Sequence, residues 1–153
     1  TFYTQVMFAD YELQAHRLVE QGKPVTADAL GAIYTELLEA YQGDAVTQDE
    51  MAAVTWARIP HFFQMPYYVY QYATCYASTA QLMRGLRSES EAARQDAVAR
   101  YLALLKSGGS DYPMAQLARA GIDLSQPGPV QAVVDELDRR VTLLEAEMAR
   151  LGG

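Results

Sequence analysis

One segment concentrates the groups that could do chemistry. Five of the chain's eleven tyrosines, Tyr67, Tyr68, Tyr70, Tyr72 and Tyr76, fall within ten residues, preceded by His61, Phe62 and Phe63. A core buries aromatic mass more cheaply as Phe or Leu, because each buried phenol hydroxyl needs a hydrogen-bond partner. So many hydroxyls together read as a wet, polar-tipped wall, such as the side of a cleft. Tyr O–H and His N–H groups can donate to an oxyanion or to a substrate carbonyl. At 100° per residue, Tyr68, Tyr72 and Tyr76 share one helix face, and Tyr67 and Tyr70 share another. The competing reading is an ordinary aromatic core helix whose hydroxyls reach the surface, and composition alone leaves both open.

Other chemistries find less support. A catalytic zinc site needs about three protein ligands, and the chain has two histidines, His16 and His61, with no H-E-x-x-H. No metal ligands are expected within it. His16, flanked by Ala15 and Arg17, reads as a surface histidine. Cys75 lies in an apolar stretch and reads as a buried, inert thiol. A single cysteine excludes an internal disulfide and suits a reducing cytoplasm. No G-x-S-x-G elbow or P-loop occurs, and Gly108-Gly109 by itself implies a turn or a close backbone approach. Nineteen acids against twelve bases, a net charge of −7, disfavour nucleic acid as a partner. No stretch approaches the ~18 consecutive apolar residues of a membrane span, and Thr1-Phe2-Tyr3-Thr4-Gln5 carries no signal-peptide pattern.

The elements that must position these groups read as helices throughout. Ala, Leu, Glu, Gln, Arg and Met recur, and alternating strand patterns are absent. About six helical segments are predicted in an irregular all-α bundle over residues 1–153. The first runs from about Phe2 to Gln21 and stops at Gly22-Lys23-Pro24. The second starts at an N-cap Thr26 and reaches about Tyr41. A short third starts at Thr47, where Thr47-x-x-Glu50 forms a capping box, and reaches about Trp56. Pro60 and Pro66 disfavour regular helix between them. Tyr67–Leu86 reads as a long helix, apolar almost all round and so packed on several sides. The next starts near Ser88 or Ser90 and runs to Lys106. After a turn-rich loop at 107–113 comes a short helix from about Met114 to Ala120. A last helix is opened by Asp123-Leu124-Ser125-Gln126-Pro127.

Three ordered motifs carry a resemblance. Arg58-Ile59-Pro60-His61-Phe62-Phe63 followed by Tyr67-Tyr68-Val69-Tyr70-Gln71-Tyr72-Ala73-Thr74 closely resembles the pattern I-P-H-F-Y-x-x-F-Y-V-Y-x-Y-A-T-G of the oligoendopeptidase F family. Upstream, Met7-Phe8-Ala9-Asp10-Tyr11-Glu12 resembles that family's M-F-A-E-F-E. Downstream, Leu105-Lys106-Ser107-Gly108-Gly109-Ser110 and Pro113 resemble its L-K-x-G-G-S-x-x-P loop. Two departures stand out: Cys75 replaces the family's glycine after A-T, and Pro66 precedes the aromatic pair.

The resemblance implies the C-terminal part of a larger all-helical zinc metallopeptidase that cleaves short peptides. In that family zinc is held by H-E-x-x-H and a downstream Glu, all N-terminal to the residues present here. By position His61 matches the family's histidine, and Tyr68 and Tyr72 are the best candidates for its tyrosines, with Tyr67 and Tyr70 behind them; in the family these residues bind substrate and stabilise the oxyanion. Tyr67, Tyr70, Gly108 and Gly109 match substrate-binding positions. The chain alone is then expected to be inactive, and its partners to be a short peptide and the remainder of the same polypeptide or a second copy. Exposed apolar faces should mark where those partners pack. The expected compartment is the cytoplasm. The alternative is a non-enzymatic helical domain that uses its aromatic wall as a peptide groove or scaffold.

Overall fold

Polar caps set the start of several elements. The Thr26 hydroxyl accepts from the Ala29 N–H at 3.2 Å and opens a helix over Ala27–Gln42. Ser90 does the same for Ala93 and opens Glu91–Ser107. Thr26 was the cap expected from sequence, and Ser90 was one of the two starts considered, with Ser88. The computed structural model describes residues 1–152, and among them every regular element is helical. Seven are α-helices: α1 (Phe2–Glu20), α2 (Ala27–Gln42), α3 (His61–Gln64), α4 (Tyr70–Leu86), α5 (Glu91–Ser107), α6 (Pro113–Arg119) and α7 (Gly128–Leu151). Two more, Gly43–Ala45 and Glu50–Arg58, are 3-10 segments.

Three expectations change. The third element is capped by Asp49, not Thr47. The Asp49 carboxylate accepts from the Ala52 N–H at 2.9 Å, and Asp is the stronger N-cap of the two. Between Pro60 and Pro66 one α-turn survives, because Pro60 sits at its N-cap, where a missing N–H costs nothing. The long aromatic helix begins at Tyr70, since Tyr67 takes a left-handed φ of 57° that no helix accommodates.

The chain divides into two compact units, one of Thr1–Ala73 and one beginning at Thr74, with the division inside α4. In the first, Met7 and Tyr11 of α1 pack on Tyr34, Leu37 and Leu38 of α2, all at most 5% exposed. Phe8, Trp56 and Phe62 cover this cluster. Tyr11 meets Tyr34 edge-on at 5.4 Å and stacks near Trp56 at 6.3 Å. Burying such side chains contributes roughly 1.5–3 kcal/mol each. α1 stops in a Schellman motif: Gly22 takes φ 66°, its N–H reaches the Val19 carbonyl, and the Lys23 N–H reaches that of Leu18.

The second unit is built differently. Its buried set is mostly small: Ala77, Ala97, Ala120 and Ala132, with Ile122 and Val133. Gly85 lies so close to α5 that an added Cβ would come within 3.1 Å of the Ala97 Cβ. Glu136 of α7 accepts from Arg87, Arg139 and Arg140 at 2.7–2.9 Å. Led by Arg139, these guanidiniums hold its carboxyl far below the usual carboxylate range. α4 buries only Ala77 and Ser78. Cys75, on the far side of the helix from Ala77, is exposed rather than the buried thiol expected. Along α7, Val130, Val134, Leu137, Val141, Leu144 and Met148 form an exposed apolar row at alternating four- and three-residue steps.

Candidate functional site

The site begins with a single turn. α3 carries His61 and Phe62 side by side. Phe62 points into the first unit's core, with its ring 4.9 Å from Tyr11 and 5.6 Å from Phe8. That packing fixes the turn and leaves the neighbouring His61 half-buried at its edge. On the other side Val69, 1% exposed, pins the entry to α4. Between these two anchors the chain doubles back, so that Tyr68 and Tyr72 return over His61.

The result is a three-ring cluster. The imidazole of His61 lies parallel to the Tyr68 ring, at 5.7 Å and 11°. The Tyr72 ring stands edge-on to both, 5.9 Å from His61 and 5.5 Å from Tyr68. The Tyr72 hydroxyl lies 3.3 Å from His61 Nε2, so one of the two donates to the other according to the histidine tautomer. Desolvation in the cluster, then the adjacent Tyr68 hydroxyl, raises the Tyr72 phenol above its ordinary range. Tyr72 therefore remains an O–H donor throughout neutral and mildly alkaline pH. It is 39% exposed, open to a ligand.

Of the positions singled out from sequence, His61, Tyr68 and Tyr72 thus come together. Tyr70 is exposed and belongs to no part of the cluster described above. Tyr67 turns away: its ring lies 4.5 Å from His16. His16, expected on the surface, is half-buried by that contact. Gly108 and Gly109 lie in the second unit, in a loop held by Ser107 Oγ donating to the Leu104 carbonyl and by an Asp111–Arg119 pair at 2.6 Å. Gly108 takes φ 53°, and no atom stands within 4 Å of where a Cβ would be on either glycine. The Arg119 hydrogen bond holds the Asp111 carboxyl below its usual range.

Sequence reasoning passed over Glu12. It is 4% exposed, and a carboxylate oxygen accepts from the Tyr67 N–H at 2.5 Å. The signal was available: Glu12 falls four residues after Phe8, on the arc of α1 that faces the core. A charge-bearing side chain there implies a specific partner. Among the described residues no three His, Cys, Asp or Glu side chains are grouped to hold a metal ion, so the residues present do not fit a zinc site.

Comparison with known proteins gives the arrangement a context. A family model described as Peptidase family M3 matches residues 1–136. The chain is 36% identical over 145 residues to the oligopeptidase PepF of Bacillus subtilis, covering 95% of this chain and 21% of that protein. It is 36% identical over 135 residues to an oligoendopeptidase F homolog of Borreliella burgdorferi, covering 88% and 22%. The solved structure of oligoendopeptidase-F from Enterococcus faecium superposes with a TM-score of 0.89 at 33% identity, over 98% of this chain and 28% of that one. The chain therefore spans between about a fifth and just over a quarter of the length of these relatives.

Proposed function

This chain belongs to peptidase family M3, and from that membership we propose that it is the C-terminal portion of a zinc-dependent oligoendopeptidase acting on short peptides. Its share of the work is to bind the peptide and to stabilise the oxyanion. The three-ring cluster carries this reading: His61, Tyr68 and Tyr72 converge, with the Tyr72 hydroxyl 3.3 Å from His61 Nε2. When a peptide carbonyl is attacked, negative charge develops on its oxygen. Donors already fixed in place lower that barrier because they need no reorganisation as the charge appears. Phe62 and Val69 supply the rigid backing. The raised Tyr72 phenol keeps its proton where the reaction would use it.

Tyr67, Tyr70, Gly108 and Gly109 are proposed as further substrate contacts: two exposed aromatic faces, and a loop whose backbone is open to approach. Zinc, which the family implies, would supply the activated water. On this proposal its ligands come from the rest of the polypeptide, and this chain contributes hydrogen bonding and peptide holding and is by itself inactive. The exposed apolar row of α7 supports the view that the remainder of the polypeptide, or a second copy, packs against it. No helix among the described residues is long and apolar enough to cross a membrane.

In the full-length polypeptide carrying this chain, His61→Ala and Tyr72→Phe are expected to lower kcat on a short peptide by ~10²–10³-fold. Bound zinc, measured by atomic absorption, should stay unchanged. Loss of zinc in step with activity would move these residues into the metal site and overturn the reading.

A further inference from the structure

The aromatic cluster depends on how the chain turns at Tyr67, and that turn is held from α1. Tyr67 is the one non-glycine residue with positive φ among the described residues, at 57°. A bulky side chain in that region is strained, and persists only where its surroundings impose it. Two groups on α1 impose it here. Glu12 accepts the Tyr67 N–H at 2.5 Å, while His16, one helical turn further on, lays its ring 4.5 Å from the Tyr67 ring at 38°. Spaced four apart, the two side chains reach the same place. One grips the backbone and the other the side chain.

Glu12 itself is anomalous as a core residue. At 4% exposure it occupies volume that a leucine or methionine would fill without desolvating a carboxylate. A buried carboxylate that accepts from a strained backbone amide points to a task at that amide. The next residue after Tyr67 is Tyr68, whose ring lies 5.7 Å from His61, and Tyr72 follows one turn later. Changing φ at 67 would swing both tyrosines relative to α3. We infer that Glu12, assisted by His16, is a positioning residue: it sets the left-handed corner at Tyr67 and so aims the Tyr68 and Tyr72 hydroxyls at the position of the developing oxyanion. Neither side chain touches substrate. The inference rests on the proposed role of the His61 cluster.

Steady-state peptide hydrolysis by the full-length polypeptide tests it, with His61→Ala run alongside. Glu12→Leu keeps the buried volume and removes the acceptor. Its melting temperature should stay near that of the parent, while kcat falls on the order of 10–10²-fold with little change in KM. Glu12→Gln retains an acceptor oxygen and should recover most of the rate. If His61→Ala lowers kcat but Glu12→Leu does not, or if Glu12→Gln loses as much rate as Glu12→Leu, the positioning role is refuted and the cluster's role stands. If His61→Ala leaves kcat unchanged, the cluster's role fails and the positioning role fails with it.

Discussion

The two units of the chain solve the packing problem with opposite materials. The unit of Thr1–Ala73 buries large aromatic and branched side chains, Tyr11, Tyr34, Leu37 and Leu38, between α1 and α2. The unit that begins at Thr74 buries alanines and brings α4 close to α5 through Gly85 and Ala97, while leaving Leu102, Leu105 and the α7 row exposed. A core of large rings is stiff, because each ring fills a shaped space and moves only if its neighbours do. The cluster of His61, Tyr68 and Tyr72 is mounted on that stiff unit through Phe62 and Val69. The small-residue unit carries the exposed apolar row of α7.

Opposite substitutions should therefore damage the two units. The largest effect is expected from truncation in the first: Leu38→Ala should cost about 2–5 kcal/mol by denaturant unfolding, through the cavity left between α1 and α2. A cost under 1 kcal/mol would mean that core can collapse and is not the stiff mount described. In the second unit enlargement should do the harm. Ala97→Leu, 6% exposed and facing Gly85, should cost about 1–3 kcal/mol through overpacking. A neutral result would show that α4 and α5 can separate freely.

The smallest effect should have the opposite sign. The buried Tyr11 hydroxyl has no hydrogen-bond partner among the described residues, and burial, with Tyr34 adding to it, raises its phenol well above the ordinary range. Tyr11→Phe should thus gain about 1 kcal/mol. The same shift sets an alkaline limit. A phenol harder to ionise in the folded state stabilises the fold below its unfolded pKa of ~10, and that stabilisation is lost as pH rises towards the folded value. Tyr11→Phe should move the alkaline unfolding midpoint upward. An unchanged midpoint would leave Tyr34, raised by the same desolvation, as the group that sets it.

Much of this architecture was legible in the residues. Thr26 announced its helix, and Ser90 was one of two candidates two residues apart, because a capping hydroxyl is a local device, complete within three residues. His61, Tyr68 and Tyr72 could be named as a group from spacing and resemblance, though sequence ranked Tyr67 and Tyr70 only just behind them. Tyr70 lies on the opposite side of α4 from Tyr72, and what set Tyr67 apart was its φ, held by Glu12, 55 residues earlier. No local pattern carries such a contact. The rivalry between Thr47 and Asp49 was closer: both are good caps two residues apart, and the deciding hydrogen bond is a matter of loop geometry. The exposure of Cys75 was hidden for a related reason. An apolar helix looks buried until the neighbours that would cover it are counted.

The four-residue helix α3 has a consequence for how this protein can vary in length. His61 and Phe62 are adjacent, and one faces the cluster while the other faces the core. Adding or deleting a single residue between the 3-10 segment and α3 would rotate that turn by about 100°. A ring anchor and an imidazole would then exchange places. Single-residue insertions and deletions there should therefore be damaging, so this connection should behave as a ruler of fixed length.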